Sequence, residues 1–425
     1  MNTSVLWIVN MVLPELANHL GIKTGNSGTW MFDLSRKLVD QEGCRLAIAC
    51  VYGDKFAKYD INGITYYTLP GKPSNMYFYT KRFESLWAQI NVEFKPDLVH
   101  LHGTEYSHGL SFLRMCPNVP ALLTIQGVME KISGAAFDGI SLWQAIVNNT
   151  KHEWLHMSGM YMNNILRKRN LKYEREIVER VKYATGRTDW DKAFLMGVNP
   201  EIEYFRVFYN LRDEFYSAEK WDINNVERHT IYGSTSAQAV LKGGHILLKA
   251  LSIIVKKYPD AKVIFLNPGS KDGKYVINSG YGKIISNLIQ KYHLENNVEC
   301  IPAQNTAGVI KNMKRCHCAV IPSAMENASA TLREAMHLGV PCFAAYRGGM
   351  AELIDEGGDG FLYDFNEAEV LADKINTLFA NDDLALTVSV NATKKAEIWH
   401  DRIKNPKDME NVYKHIINTL KQRNI

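Results

Sequence analysis

The sequence predicts an α/β protein of two domains, each a mostly parallel sheet covered by helices, and three observations carry that reading. Short apolar runs alternate with helical periods from the N-terminus onward. A polar and aromatic stretch at residues 210–225 then interrupts the rhythm, and beyond it the rhythm restarts. A length of 425 residues is also long for one core and comfortable for two α/β domains. Alternation of strand and helix implies parallel pairing, because only a crossover can bring the chain back to start the next strand in the same direction.

In the first half, residues 4–12, 45–52, 64–69, 97–102 and 121–125 read as strands, being apolar runs of strand length. Residues 28–41 read as a helix stopped by Gly43, and residues 81–94 as one ended before Pro96. Residues 142–183 have a helical period and a basic stretch of Arg167, Lys168, Arg169, Lys172 and Arg175; strands at 183–188 and 205–209 close the sheet. Beyond the linker, strands are expected at 230–232, 261–266 and 298–301 and in the run from Cys318. Helices are expected at 245–257, 281–292 and 309–314, in the segment after Glu326, and finally at 371–379 and 394–422. The expected domains are residues 1–216 and 217–395, with 396–425 as a closing helix.

Composition narrows the class. A 46% hydrophobic and 22% charged chain is an ordinary globular composition, and a net charge of +4 does not argue for nucleic acid. Seven scattered cysteines, an odd number, do not form a disulfide framework and suit a reducing, cytoplasmic setting. Cys316-His317-Cys318 has no second pair at zinc-like spacing and reads as the start of a buried strand. The apolar residues 5–13 lack a basic lead-in and are too short to span a bilayer, so a first strand is expected there.

The chemistry concentrates in one run. A strand from Cys318 enters a loop bearing Glu326, and a helix carrying Glu334 follows, closed by Gly339 and Pro341. Carboxylates facing one pocket accept hydrogen bonds from sugar-like hydroxyls. Thr331-Leu-Arg-Glu334 is also a capping box in sequence, so a structural reading of Glu334 stays open. Lys242-Gly243-Gly244 precedes the expected helix at 245–257. A lysine at the positive end of a helix, followed by two glycines, makes sense if an anion rests there. Gly25-Asn26-Ser27-Gly28 repeats the pattern more weakly in the first domain, and His100, His102 and Gln126 follow strands there.

These residues resemble the family-four retaining glycosyltransferases of the GT-B fold. The resemblance rests on Lys242-Gly243, the Glu326-x7-Glu334 spacing, Gly339-x-Pro341 and Gly348-Gly349-x-x-Glu352, and it is strongest over the second domain. It implies two Rossmann-like domains facing across a cleft, the first on the acceptor side and the second binding the donor, with the last helix crossing back to the first. The implied activity moves a sugar from a nucleoside diphosphate to a hydroxyl of a saccharide or lipid-linked acceptor, in cell-surface polysaccharide assembly. By position, Lys242 neutralises the diphosphate, and Glu326 with Asn327, Ala328 and Ser329 holds the sugar and phosphate. Glu334 takes the ribose, and Gly28 lets the first helix approach the diphosphate. Asn26 and Gln126 fall on the acceptor side. Gln126 stands where the family has a histidine, which makes His102 the nearest catalytic substitute. No arginine precedes Lys242 in the place the family has one, and Asn327-Ala328-Ser329 replaces a Gly-x-Pro.

No cofactor or metal is expected. Asp189-Trp190-Asp191 looks like a metal-binding Asp-x-Asp but sits late in the first domain. Trp154, Met157, Met160, Met162 and Ile165 beside Arg167–Arg169 suggest peripheral contact with an anionic membrane, against the alternative of a solvated helix pair. Two other classes remain open: a GT-B nucleotide-sugar epimerase and a non-catalytic nucleotide-sugar-binding protein.

Overall fold

The computed structural model describes residues 3–22, 28–40, 43–72, 76–79, 81–236, 239–267, 270 and 273–423. The chain divides into two compact units. Met1–Glu130, Leu166–Arg212 and Trp399–Ile425 form the first, and Lys131–Ile165 with Asp213–Ile398 form the second.

In the first unit the strands are β1 (Ser4–Ile8), β2 (Arg45–Val51), β3 (Ala57–Ile61), β4 (Ile64–Leu69), β5 (Leu98–His102), β6 (Ala121–Thr124), β7 (Tyr183–Gly186) and β8 (Glu203–Arg206). They lie in the order β3-β4-β2-β1-β5-β6-β7-β8. Among the described residues of this unit, only β3 and β4 pair antiparallel. The sequence reading missed β3, an edge strand without a continuous apolar run. Its turn carries Asn62 and Gly63 at φ 47° and 82°, the left-handed pair that a tight hairpin requires. That dipeptide was the available signal. Elsewhere the expected helices appear as Thr29–Asp40 and Arg82–Phe94, the latter ended by Lys95 at φ 50° just before Pro96. The 142–183 segment resolves into Leu142–Val147, Lys151–Leu155 and Met160–Arg180. Ser141 with Gln144 and Thr150 with Glu153 form capping boxes that start the first two.

In the second unit the strands are β9 (Glu227–Ser236), β10 (Lys262–Leu266), β11 (Val298–Ile301), β12 (Cys316–Ile321), β13 (Cys342–Ala345) and β14 (Phe361–Tyr363), in the order β11-β10-β9-β12-β13-β14. Every neighbouring pair is parallel. A sheet covered on both faces needs continuous apolar strands, and all six residues of β12 are buried. Cys316, His317 and Cys318 belong to that strand. Cys316 donates its thiol to Asn312 O at 3.1 Å, and the His317 ring stacks on Phe379 at 4.8 Å. Among the described residues no cluster of His, Cys, Asp or Glu could hold a metal, and no helix is long and apolar enough to cross a membrane.

The final helical stretch breaks into Asp382–Trp399 and Lys404–Arg423, and the second of these belongs to the first unit. It places Met409, Val412, Tyr413, Ile416 and Ile417 in one core cluster with Val5, Trp7 and Val9. A buried polar chain fixes its register. Trp7 Nε1 donates to Tyr413 Oη at 3.0 Å, and that hydroxyl meets His100 Nδ1 at 2.7 Å. His100 Nε2 meets Thr124 Oγ1 at 2.6 Å, and Thr124 meets Thr185 at 2.5 Å. The tyrosine proton is directed at Nδ1, because the hydroxyl already accepts from the indole; Nε2–H then donates to Thr124. Burial holds the His100 pKa well below its usual value, so this neutral tautomer persists. Tyr413→Phe is therefore expected to cost about 1–3 kcal/mol, the penalty for leaving a buried donor and acceptor unmade. Urea unfolding of the variant checks it, and an unchanged midpoint would contradict the network.

Candidate functional site

In the second unit the chain runs from β9 outward to β10 and β11, then returns to place β12 on the other side of β9. The loops after β9 and β12 therefore diverge, opening a crevice at the carboxyl edge where ligands bind in parallel sheets. Lys242 follows β9 and Glu326 follows β12. Their side chains form an ion pair through Nζ and Oε1, with Lys242 40% and Glu326 20% exposed. Ser323 Oγ also donates to Glu326 Oε1, at 3.2 Å. The structure thus joins two residues that lie 84 positions apart.

Two glycines make this arrangement possible. Gly243 adopts φ +68°, and a Cβ there would lie 1.6 Å from Pro322 O. Gly348 adopts φ +61°, and a Cβ there would lie 2.0 Å from Glu326 O. The backbone of Glu326 is pinned in turn by Gly349 N at 3.0 Å, and Ala324 N donates to Leu241 O at 2.8 Å. The glycines thus let three loops close over one another at the strand ends.

The start of the helix Gly244–Ile254 is less open than expected. Tyr281 Oη accepts from His245 N at 3.2 Å and lies 2.9 Å from His245 Nδ1. His245 Nε2 then donates to Asp138 O at 3.1 Å, so the ring is neutral, and burial lowers its pKa to about 4. Asp138 also pairs with Arg347 at 3.4 Å. The sequence reading identified none of Asp138, His245, Tyr281 or Arg347. Their link runs between the 131–165 segment and two helices and a loop more than a hundred residues away, with no local period to reveal it.

The second carboxylate also differs from the capping alternative. Ser329 is the N-cap of the helix Ala330–Leu338, with its side chain 3.5 Å from Leu332 N. Glu334 lies in the second turn, out of reach of a box built on Thr331, and is half-buried. Its carboxylate is therefore not accounted for by capping. Asn327, Ala328 and Ser329, in the same loop as Glu326, are buried.

In the first unit, Gly28 has φ +78° and backs onto the Met11 side chain just ahead of the helix Thr29–Asp40. Asn26, with Gly25 and Ser27, lies outside the described residues. Gln126 Nε2 donates to His102 O at 3.3 Å. His102 is fully buried among Trp7, Trp30 and His100, and neither ring nitrogen has a partner among the described residues. Burial lowers its pKa to about 3. Burial therefore keeps the ring in its neutral form near neutral pH. In the Asp189-Trp-Asp191 motif, Asp191 completes a capping box with Thr188, the N-cap of the helix Asp189–Val198, and Asp189 pairs with Arg206 at 2.5 Å.

Gly348→Ala is expected to destabilise the second unit more than Gly357→Ala. Both glycines are left-handed, which costs a residue with a Cβ about 1–2 kcal/mol, but Gly357 has open space where Gly348 meets a carbonyl. Thermal unfolding of the two variants checks this, and equal losses would mean that the close approach does not matter.

Residues 218–395 match the family model described as glycosyl transferases group 1. A D-inositol 3-phosphate glycosyltransferase of Corynebacterium urealyticum is 25% identical over 156 residues, 37% of this chain and 36% of that protein. Spore coat protein SA of Bacillus subtilis is 30% identical over 162 residues, 37% and 41% of the two chains. The chain therefore spans well under two thirds of the length of the curated relatives it matches. Among solved structures, a sucrose-phosphate synthase from Thermosynechococcus elongatus superposes with a TM-score of 0.73 at 14% identity, covering 98% of this chain and 100% of that one. Anabaena Alr3699/HepE in complex with UDP-glucose gives 0.66 at 16% identity, covering 97% and 99%. Residues 218–395 thus match the glycosyl transferases group 1 model, and the chain shares the GT-B fold of the solved glycosyltransferases it resembles.

Proposed function

We propose that the protein is a retaining glycosyltransferase that moves a sugar from a nucleoside diphosphate to a hydroxyl of a saccharide or lipid-linked acceptor, in the assembly of a cell-surface polysaccharide. The observation that carries this reading is the Lys242–Glu326 pair in the crevice beside β9. Without a ligand the two charges neutralise each other. A nucleotide-sugar offers each a better partner, diphosphate oxygens for the ammonium and sugar hydroxyls for the carboxylate. A solved neighbour of the same fold binds UDP-glucose, which supports this class of donor.

In the proposed step the bond from the anomeric carbon to the diphosphate oxygen breaks, and the acceptor oxygen forms the new bond on the same face. The acceptor's proton passes to the departing phosphate oxygen, so no side-chain base is required. Lys242 stabilises the charge growing on the diphosphate, Glu326 orients the sugar, and Glu334 holds the ribose. Asn327, Ala328 and Ser329 support the sugar from the same loop. No metal or cofactor enters this proposal. Residues 1–216 form the acceptor side, with Asn26 and Gln126, residues 217–395 the donor side, and Gly28 lets the first helix approach the donor diphosphate.

Lys242→Ala and Glu326→Ala are each expected to lower turnover about 100-fold or more, the scale of a lost transition-state donor. Release of nucleoside diphosphate from a panel of nucleotide-sugars measures it and names the donor. Near-normal turnover by both variants would sink the assignment.

We also propose that the 142–165 segment rests on an anionic membrane. Trp143, Trp154, Leu155 and Met157 are 71%, 58%, 80% and 68% exposed, with Lys151 exposed between them. Sedimentation with anionic liposomes should be weakened by salt and by Trp154→Glu. An absence of binding, or binding that ignores both, would dismiss the idea.

A further inference from the structure

The first unit has its own reversal of strand order, with β2 on one side of β1 and β5, β6 and β7 following in turn on the other. All these strands run parallel, so the residues just after them share one edge. Asn10 follows β1, Gly103–Glu105 follows β5, Gln126 follows β6 and Arg187 follows β7. Side-chain bonds stitch the edge together. Asn10 Nδ2 donates to Glu105 Oε2 at 2.6 Å, Gln126 Nε2 to His102 O at 3.3 Å, and Arg187 donates one terminal guanidinium nitrogen to Gln126 O at 3.2 Å.

Arg187 is the anomaly. It is only 7% exposed, and its Nε has no hydrogen-bond partner among the described residues. Its guanidinium lies 5.3 Å from the Tyr209 ring centroid and forms no ion pair among the described residues. The carboxylates around it hold other donors. Asp191 takes the N–H of Arg187 at 2.9 Å, the N–H of Thr188 at 3.3 Å and the Tyr204 hydroxyl at 2.7 Å. Glu174 takes the Thr104 hydroxyl at 2.9 Å and the N–H groups of Met129 and Glu130 at 2.8 and 2.9 Å. Glu105 is bonded to Asn10, and burial, aided by the charge of Glu174 and opposed by the more distant charge of Arg187, pushes its pKa up to about 7.

A guanidinium keeps its proton at any working pH, so burial cannot be relieved by neutralisation. A buried cation without a contacting anion is unfavourable, and a planar fork is suited to a carboxylate or a phosphate. We propose that this edge is a subsite for an anionic group on the sugar-accepting molecule, with Arg187 as its anchor. The ligand class is an acidic saccharide, bearing a carboxylate or a phosphate. The assignment rests on the transferase reading above for the word acceptor; the anion subsite itself does not depend on turnover.

The test uses the full chain with Lys242→Ala, which removes the cation expected to hold the donor diphosphate. Glucuronate, glucose 6-phosphate and neutral glucose are titrated by ligand-observed NMR at constant ionic strength. At least one acidic sugar should bind about tenfold tighter than glucose, the lower end of a charge-assisted hydrogen bond of about 1.5–3 kcal/mol, and the stronger of the two names the group. Adding Arg187→Met should abolish the preference, and Arg187→Lys should reduce it at least threefold by losing the fork. If the methionine variant does not fold, the lysine variant decides. Equal binding of acidic and neutral sugars, or a preference unchanged in the folded variants, overturns the proposal. Since donor turnover is measured separately, loss of that activity leaves this result standing.

Discussion

The candidate site depends on one topological constraint: the second sheet reverses its direction of growth at β9. Loops that leave adjacent parallel strands for opposite sides must part, and the gap cannot be filled by the sheet's own hydrogen bonds. Lys242 and Glu326 stand at the two lips of that gap. Gly243 and Gly348 then let neighbouring carbonyls come closer than any side chain would permit. The result is a polar crevice with backbone for walls, supported below by a strand in which every residue is buried.

The parts legible in the sequence were those with a local signature. Parallel strands announce themselves as apolar runs, and Lys242-Gly-Gly was out of place at a helix start unless something anionic met it. Glu326 was conspicuous as an acid between a buried strand and a buried helix. The misses share a cause too. The Asp138–His245–Tyr281 link and the Arg347–Asp138 pair form only when distant segments meet, and nothing in their neighbours foretells them. The capping box at Thr331 failed because Ser329, two residues earlier, has the cap geometry. The burial of His102 among aromatic rings is likewise set by the fold and has no local signature. The β3 hairpin had its cue in Asn62-Gly63, overlooked because a half-exposed edge strand lacks the apolar run that marks a central one.

Polar groups play a similar part in the two interiors. In the first unit, Trp7, Tyr413, His100, Thr124 and Thr185 satisfy one another in a chain, so the burial of each is compensated and the closing helix is held to one register. In the second, Tyr281 and His245 do the same work at the start of the helix Gly244–Ile254. Both devices rely on neutral imidazoles, whose two nitrogens take different roles only while burial keeps them uncharged.

The division of the chain has a consequence for how it is made. The first unit needs Trp399–Ile425 to complete the core around Trp7, so its strands wait for a segment made only after the whole of the second unit. The 131–165 segment likewise emerges before the sheet it belongs to exists. During synthesis the apolar face beside β1 is a surface without its cover, and a fragment that stops near residue 216 would preserve that immature state indefinitely.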